Sequence, residues 1–389
     1  MMRSRSVLRR PLVAAALAAL LAACGGGGAD TTPRAGVSAV KVMGDSLADV
    51  GTFGIEFTIQ GNEIYPERIS QTYGLGKGCN FFASDGVTFG VNPKPGCTNY
   101  AVGGGVINAA GSGLVAADPR GLGVQFAAAT AAGNFGAGDL LVVDGGGNDA
   151  AALVGAYLRA GQPAPAGDGG ASFLALLGTQ LSPTQVQAAA AGGAAGLAAA
   201  GGTYMTALAG SFYTMIKSGA LDKGAARIVL LNMPAITVTP RFQAVLDGIA
   251  AANGANGASA RAQADALFQS WFTAFNTELA RRFAGNASVA IVDVYKAFND
   301  MVTTPAQFGF TDVTHTACPA TGVGADGLPT YTFATCTDAA LAANPPPGAS
   351  GGADWYKTWA FSDGFHPTPY AHQQIAQLIA LQLARAGWL

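Results

Sequence analysis

Apolar and polar residues alternate through residues 37–43 and stop at Gly44, the pattern of a strand breaking into a turn. Ser46 follows two positions later and opens a helix. Residues 139–143 form a compact apolar run bounded by Gly138 and Gly145, and residues 225–231 and 288–294 repeat the pattern. Such runs mark strands buried on both faces of a parallel sheet. A shorter strand over 97–102 runs into Gly103, Gly104 and Gly105. Helical periodicity fills the gaps at 66–73, 121–133, 258–284 and 367–388. The third of these sets Leu267, Trp271, Phe275 and Leu279 on one face. Ser182 and Pro183 make an N-cap and first-turn pair for a long helix, with interruptions expected at Gly192-Gly193 or Gly201-Gly202. Strands alternating with helices predict one three-layer α/β/α domain over residues 37–389, with a central parallel sheet of about five strands. Residues 52–97 and 300–355 fall outside this rhythm. They are turn-rich and aromatic, and read as loop-rich insertions.

Composition alters the picture first at the N-terminus. Arg3, Arg5, Arg9 and Arg10 precede a short apolar core, then Leu21-Ala22-Ala23-Cys24 and four glycines. This resembles a bacterial lipoprotein signal: residues 1–23 are removed, Cys24 is lipidated, and residues 24–36 form a Gly-rich tether. Gly25 after the cysteine favours the outer membrane over the inner one, with an ordinary secretory signal as the alternative. Losing those four arginines from 21 basic residues leaves 17 against 23 acidic ones, a charge of −6. With no basic stripe, nucleic-acid binding is excluded. Residues 169–216 carry no charge, but Ala and Gly dominate them and point to a soluble helix rather than a membrane span.

Cys79, Cys97, Cys318 and Cys336 remain, and an even number in an exported chain reads as disulfides. Of three possible pairings the local ones, Cys79 with Cys97 and Cys318 with Cys336, would each staple one insertion. The spacing lacks the close CxxC pair of a zinc site.

The chain has three histidines. His366 lies three residues after Asp363, so the carboxylate can reach its Nδ1, fix the tautomer and leave Nε2 to take a proton from a serine. His372 falls on the last helix and is expected to be structural or exposed. His315, in the second insertion, is expected to be structural or to contact substrate.

Gly44-Asp45-Ser46-Leu47, the glycine Gly103 after Asn99-Tyr100-Ala101, Gly146-Gly147-Asn148-Asp149 and Asp363-Gly364-Phe365-His366 occur in this order. Together they resemble the four blocks of the SGNH, or GDSL, hydrolases. The resemblance spans residues 37–389 without covering the insertions, and implies a flavodoxin-like sheet. It makes Ser46 the nucleophile, His366 the general base and then acid, and Asp363 the orienting carboxylate. The Ser46 N–H, the Gly103 N–H and the Asn148 amide would form the oxyanion hole. Asp49 and Asp149 are read as structural. Ser46 does not sit in a GxSxG elbow, and neither GxxxxGK[ST] nor GxGxxG opens a helix after a strand.

The expected activity is a serine esterase or lipase working through an acyl-enzyme, without metal or organic cofactor. Trp355, Tyr356, Trp359, Phe361 and Phe365 near the catalytic loop suggest an apolar ester pocket. Acetylated polysaccharides, phospholipids with acyl transfer, and polyester oligomers are the alternative substrates, and a non-catalytic surface binding lipoprotein is the alternative class. Residues 300–355 are a candidate lid.

Overall fold

The computed structural model of the chain describes residues 36–163 and 165–389. The expected signal peptide, Cys24 and the tether up to residue 35 therefore lie outside the described residues. The first half of the chain runs β1 (Ala39–Met43), α1 (Tyr65–Thr72), β2 (Phe82–Ser84), β3 (Phe89–Val91), α2 (Leu122–Thr130), β4 (Asp139–Val143), α3 (Gly147–Ala160), α4 (Ala171–Leu177), α5 (Pro183–Ala191) and α6 (Gly193–Gly219). It continues with β5 (Ile228–Leu231), α7 (Pro240–Ala252), α8 (Gly257–Phe283), β6 (Val289–Val292), α9 (Val294–Thr303), β7 (Asp312–Thr316), β8 (Gly322–Val323), β9 (Pro329–Thr330), α10 (Asp338–Ala343), β10 (Trp359–Phe361) and α11 (Pro369–Arg385).

β1, β4, β5 and β6 form a parallel sheet in that order, with Val42 opposite Val142, Val142 opposite Val229 and Val229 opposite Ala290. Successive side chains of a strand point to opposite faces. Accordingly Leu141 and Val143 enter the apolar cluster built with α2, α3, α6 and α8, while Leu140 and Val142 enter the one built with α1, α9 and α11. Two cores on one sheet make three layers.

The short strand expected over 97–102 is present only as a bridge. Val42 N–H donates to Thr98 O (3.0 Å) and Tyr100 N–H to Val42 O (2.7 Å), beside the parallel Val42–Asn99 bridge. Cys97 is tied to Cys79 just before this segment and a glycine turn follows it, which leaves no length for a full strand. With the segment counted, the spatial order by chain position is 2-1-3-4-5. The order reverses between β1 and β4, the switch point where such sheets bind ligands beyond the strands' carboxyl ends.

Ser182 caps α5 by accepting the Gln185 N–H, and the chain breaks at Gly192 before α6. Gly201-Gly202 does not interrupt α6. A Cβ on Gly201 would lie 2.2 Å from the Trp271 ring, so this glycine is the notch that lets α8 close on α6. Among the described residues no helix is long and apolar enough to cross a membrane.

The local disulfides form, Cys79 with Cys97 and Cys318 with Cys336. The two insertions also pack on each other. Ile59 joins Cys318, Phe333, Cys336, Leu341, Trp355, Tyr356 and Trp359 in a third apolar cluster, and Gln60 N–H donates to Cys336 O (2.8 Å). Residues 317–356 thus share a small apolar core with Ile59 and Trp359, while Met301 and Phe310 join the core beneath α11.

Candidate active site

Ser46 sits in the turn that ends β1. A Cβ on Gly44 would lie 1.9 Å from Asp144 Oδ1, so only glycine lets that carboxylate accept the Asp45 N–H at 2.9 Å. Gln125 grips Gly44 from its other side, accepting its N–H (2.8 Å) and donating to its carbonyl (2.9 Å). The Leu47 N–H is taken by Asp45 Oδ1 at 3.0 Å. The Ser46 N–H has no acceptor among the described residues.

Loop 363–366 arrives from the other end of the chain. Asp363 Oδ1 accepts the N–H groups of Phe365 (2.8 Å) and His366 (2.6 Å), so the loop folds around its own carboxylate. His366 Nδ1 lies 2.9 and 3.0 Å from the Asp363 oxygens, and Nε2 lies 2.8 Å from Ser46 Oγ. With its proton on Nδ1, the ring offers Nε2 as acceptor to the serine hydroxyl. Burial pushes the Asp363 carboxyl up. The His366 charge and the hydrogen bonds from His366 and Phe365 outweigh it and hold the group below its ordinary range, so it stays ionised. The imidazole is flanked by Phe57 (5.3 Å between centroids) and Phe333 (5.5 Å), one from each insertion.

The glycine of the second block differs from the sequence expectation. The Gly103 N–H is spent on Asp49 Oδ2 at 2.8 Å, and Gly103 is buried against Phe57. Gly104, at φ +78°, lines the cavity that holds Ser46, and its N–H has no acceptor among the described residues. Gly103 N–H is claimed by Asp49 and Gly105 N–H by Val102 O (2.9 Å), a difference among three adjacent glycines that spacing alone does not tell. Asn148 opens α3 on the same cavity and gives one amide hydrogen to Gly105 O (3.0 Å), leaving its second. Asp149 accepts the Ile107 and Asn108 N–H groups (3.0 and 2.8 Å), and burial raises its carboxyl to about 6.

Beneath the serine turn, Asp144 also accepts the Tyr65 hydroxyl at 2.5 Å. Burial raises Asp144 to about 6, against the pull of the Tyr65 and Asp45 hydrogen bonds. Asp45 is pushed up as well, by burial and by the Asp144 charge. Neither Tyr65 nor Gln125 stood out in the sequence, since nothing local links either to the serine.

The cavity over Ser46 holds about 260 Å³ and is walled by Phe57, Pro234, Ile236, Val294, Phe298 and Phe365. Of the aromatics expected to line an ester pocket, Phe365 alone does so. Trp355 and Tyr356 fill the insertion core, and Phe361 fills the core beneath α11. Trp359 is mostly buried and edges a separate cavity of about 600 Å³ on the far side of Gly364. His315 lines that second cavity, exposed, with Nδ1 on Asp312 Oδ2 at 2.7 Å. His372 is buried, accepts the Tyr65 N–H (3.4 Å) and is held neutral, its pKa lowered to about 3 by burial and by the His366 charge. Among the described residues no three His, Cys, Asp or Glu side chains gather into a metal site.

The family model described as GDSL-like Lipase/Acylhydrolase matches residues 40–379. No curated protein matches the chain significantly.

Proposed function

The chain belongs to the GDSL-like lipase/acylhydrolase family and is an ester-bond hydrolase, and on that premise we propose that Ser46, His366 and Asp363 are its catalytic triad. Ser46 Oγ attacks the ester carbonyl while His366 Nε2 takes its proton. The carbonyl π electrons move to oxygen, which meets the N–H groups of Ser46 and Gly104 and the Asn148 amide. Collapse expels the alkoxide, which takes the proton from His366, leaving an acyl-enzyme. A water molecule then repeats the sequence, giving its proton to His366 and releasing the carboxylic acid as Ser46 recovers its hydrogen. Asp363 stays ionised throughout and holds the imidazolium. The observation that carries this reading is the unbroken relay Asp363–His366–Ser46 at 2.9 and 2.8 Å.

The walls of the 260 Å³ cavity favour esters with apolar groups next to the carbonyl. A fluorophosphonate probe should label the protein covalently, and Ser46→Ala and His366→Ala should abolish both labelling and hydrolysis of p-nitrophenyl acetate. Full turnover by folded Ser46→Ala would sink the mechanism. Lipidation at Cys24, with anchoring at the cell envelope, belongs to the same proposal and rests on the Leu21-Ala22-Ala23-Cys24 sequence. Incorporation of labelled fatty acid, lost in Cys24→Ser, is its test.

A further inference from the structure

The contact between Ser46 and His366 joins two segments that share no strand or helix. Ser46 follows β1, and His366 stands between β10 and α11. Hydrogen bonds fail beyond about 3.5 Å, so the 2.8 Å contact leaves roughly 0.7 Å of slack before Nε2 loses the serine hydroxyl. The spacing of the two segments therefore has to be held by side chains that reach both.

Tyr65, the first residue of α1, reaches both and is fully buried. On the serine side its hydroxyl donates to Asp144 Oδ2 at 2.5 Å. Asp144 Oδ1 in turn accepts the N–H of Asp45, the residue before Ser46, at 2.9 Å. On the base side the Tyr65 ring stacks on His372, with 6.1 Å between centroids and 20° between planes, and its N–H donates to His372 Nδ1 at 3.4 Å. His372 lies in the first turn of α11, whose N-cap Thr368 comes two residues after His366. Thr368 is fastened to β10 through its N–H on Ala360 O (3.0 Å) and its hydroxyl on Trp359 O (2.6 Å). One rigid ring thus spans from the turn of the nucleophile to the helix that begins just after the base. A phenylalanine would fill the same core and keep the stack on His372. Packing gains nothing from burying the hydroxyl, which is desolvated there and needs its partner.

We propose that Tyr65 is a positioning residue of the reaction: through Asp144, its hydroxyl sets the separation of Ser46 from His366. The inference rests on the triad reading.

The experiment compares Tyr65→Phe with Tyr73→Phe in the full chain. Tyr73 closes α1, about 12 Å further along the helix, and its hydroxyl donates to Trp388 O at 2.8 Å. That variant also removes one hydroxyl bond between α1 and the C-terminal segment, but one with no link to the serine turn. Hydrolysis of p-nitrophenyl acetate is measured per active serine, counted by fluorophosphonate labelling carried to completion, so misfolded protein drops out of both numbers. Tyr65→Phe should lower kcat about tenfold with KM little changed. That is less than the roughly 100-fold expected of a free 1 Å displacement, because Gln125 still grips Gly44. Tyr73→Phe should lower the urea midpoint and leave kcat and KM as they are. Unaltered kcat in Tyr65→Phe, an effect on KM as large as that on kcat, or an equal loss of kcat in Tyr73→Phe overturns the proposal. An unaltered protein that neither takes the label nor hydrolyses the ester would instead overturn the triad reading, so the two failures are distinct.

Discussion

Replacing Asp49 with asparagine leaves the side chain's shape and removes one acceptor. Asp49 is buried, with Oδ1 accepting the Gly51 and Thr52 N–H groups at 2.9 and 2.8 Å and Oδ2 accepting the Gly103 N–H at 2.8 Å. An asparagine keeps its oxygen where two donors converge, so its NH2 faces Gly103 N–H and donor meets donor. A hydrogen bond to a charged group contributes roughly 1.5–3 kcal/mol. Burial already raises the Asp49 carboxyl against the pull of its three N–H donors, so losing the charge returns part of that. The net cost to stability should be about 1–2 kcal/mol, and the protein folds. The larger effect falls on Gly104, whose N–H follows the Gly103 peptide. If it leaves the developing oxyanion, kcat should drop by up to about 10²–10³-fold with KM little changed, the signature of an interaction made in the transition state. Urea unfolding and p-nitrophenyl acetate kinetics on the same preparation measure both numbers. A folded Asp49→Asn with unaltered kcat would show that the Gly103 bond does not place the oxyanion donor.

Three further outcomes follow from the packing. Gly44→Ala must separate its Cβ from Asp144 Oδ1 by more than the present 1.9 Å, which breaks the Asp144 bond to the Asp45 N–H. A shift of about 1 Å at a nucleophile costs on the order of 100-fold in kcat, and steady-state kinetics with near-native circular dichroism would check it. Replacing Cys318 and Cys336 with serine opens an 18-residue loop and should cost about 3 kcal/mol of stability, read by urea unfolding; it should also lower kcat/KM by loosening Phe333 against His366. For pH, Asp149 is raised to about 6 in the fold against about 3.9 unfolded, so the native state binds more protons between these values. Stability should therefore fall by roughly 3 kcal/mol from this group as pH climbs from about 4 to about 6, and then level off. The lowered Asp363 acts below that window, and urea midpoints that rise with pH across it would refute the assignment.

The residues of the proposed triad stand out in the sequence because their signals are local: an Asp and a His three apart on one loop, and a Gly-Asp-Ser turn after an alternating strand. β1, β4, β5 and β6 were legible because strands buried on both faces read as apolar runs. What escaped depends on partners distant in sequence. Nothing near Gly103 says that Asp49 will claim its N–H, and nothing near Phe57 or Phe333 says that they will flank His366. α7 begins at Thr239-Pro240, a usable start signal, but its apolar face is thin because it borders a cleft rather than a core. Trp355 and Tyr356 were read as pocket walls from their closeness in sequence to the catalytic loop. The insertion needed them for its own core, and burial took precedence.

The hydrogen bond between His366 and Ser46 joins residues 320 positions apart. On the proposed mechanism, a chain emerging from the ribosome therefore presents its nucleophile first and its base last. On the proposed triad, Ser46 lacks its proton acceptor until loop 363–366 docks. Closing so large a loop is costly in entropy and is expected late in folding. A form that lacks loop 363–366 should thus carry a serine without its base. Two fragments split in an exposed loop between the motifs should be silent apart and active when they reassociate.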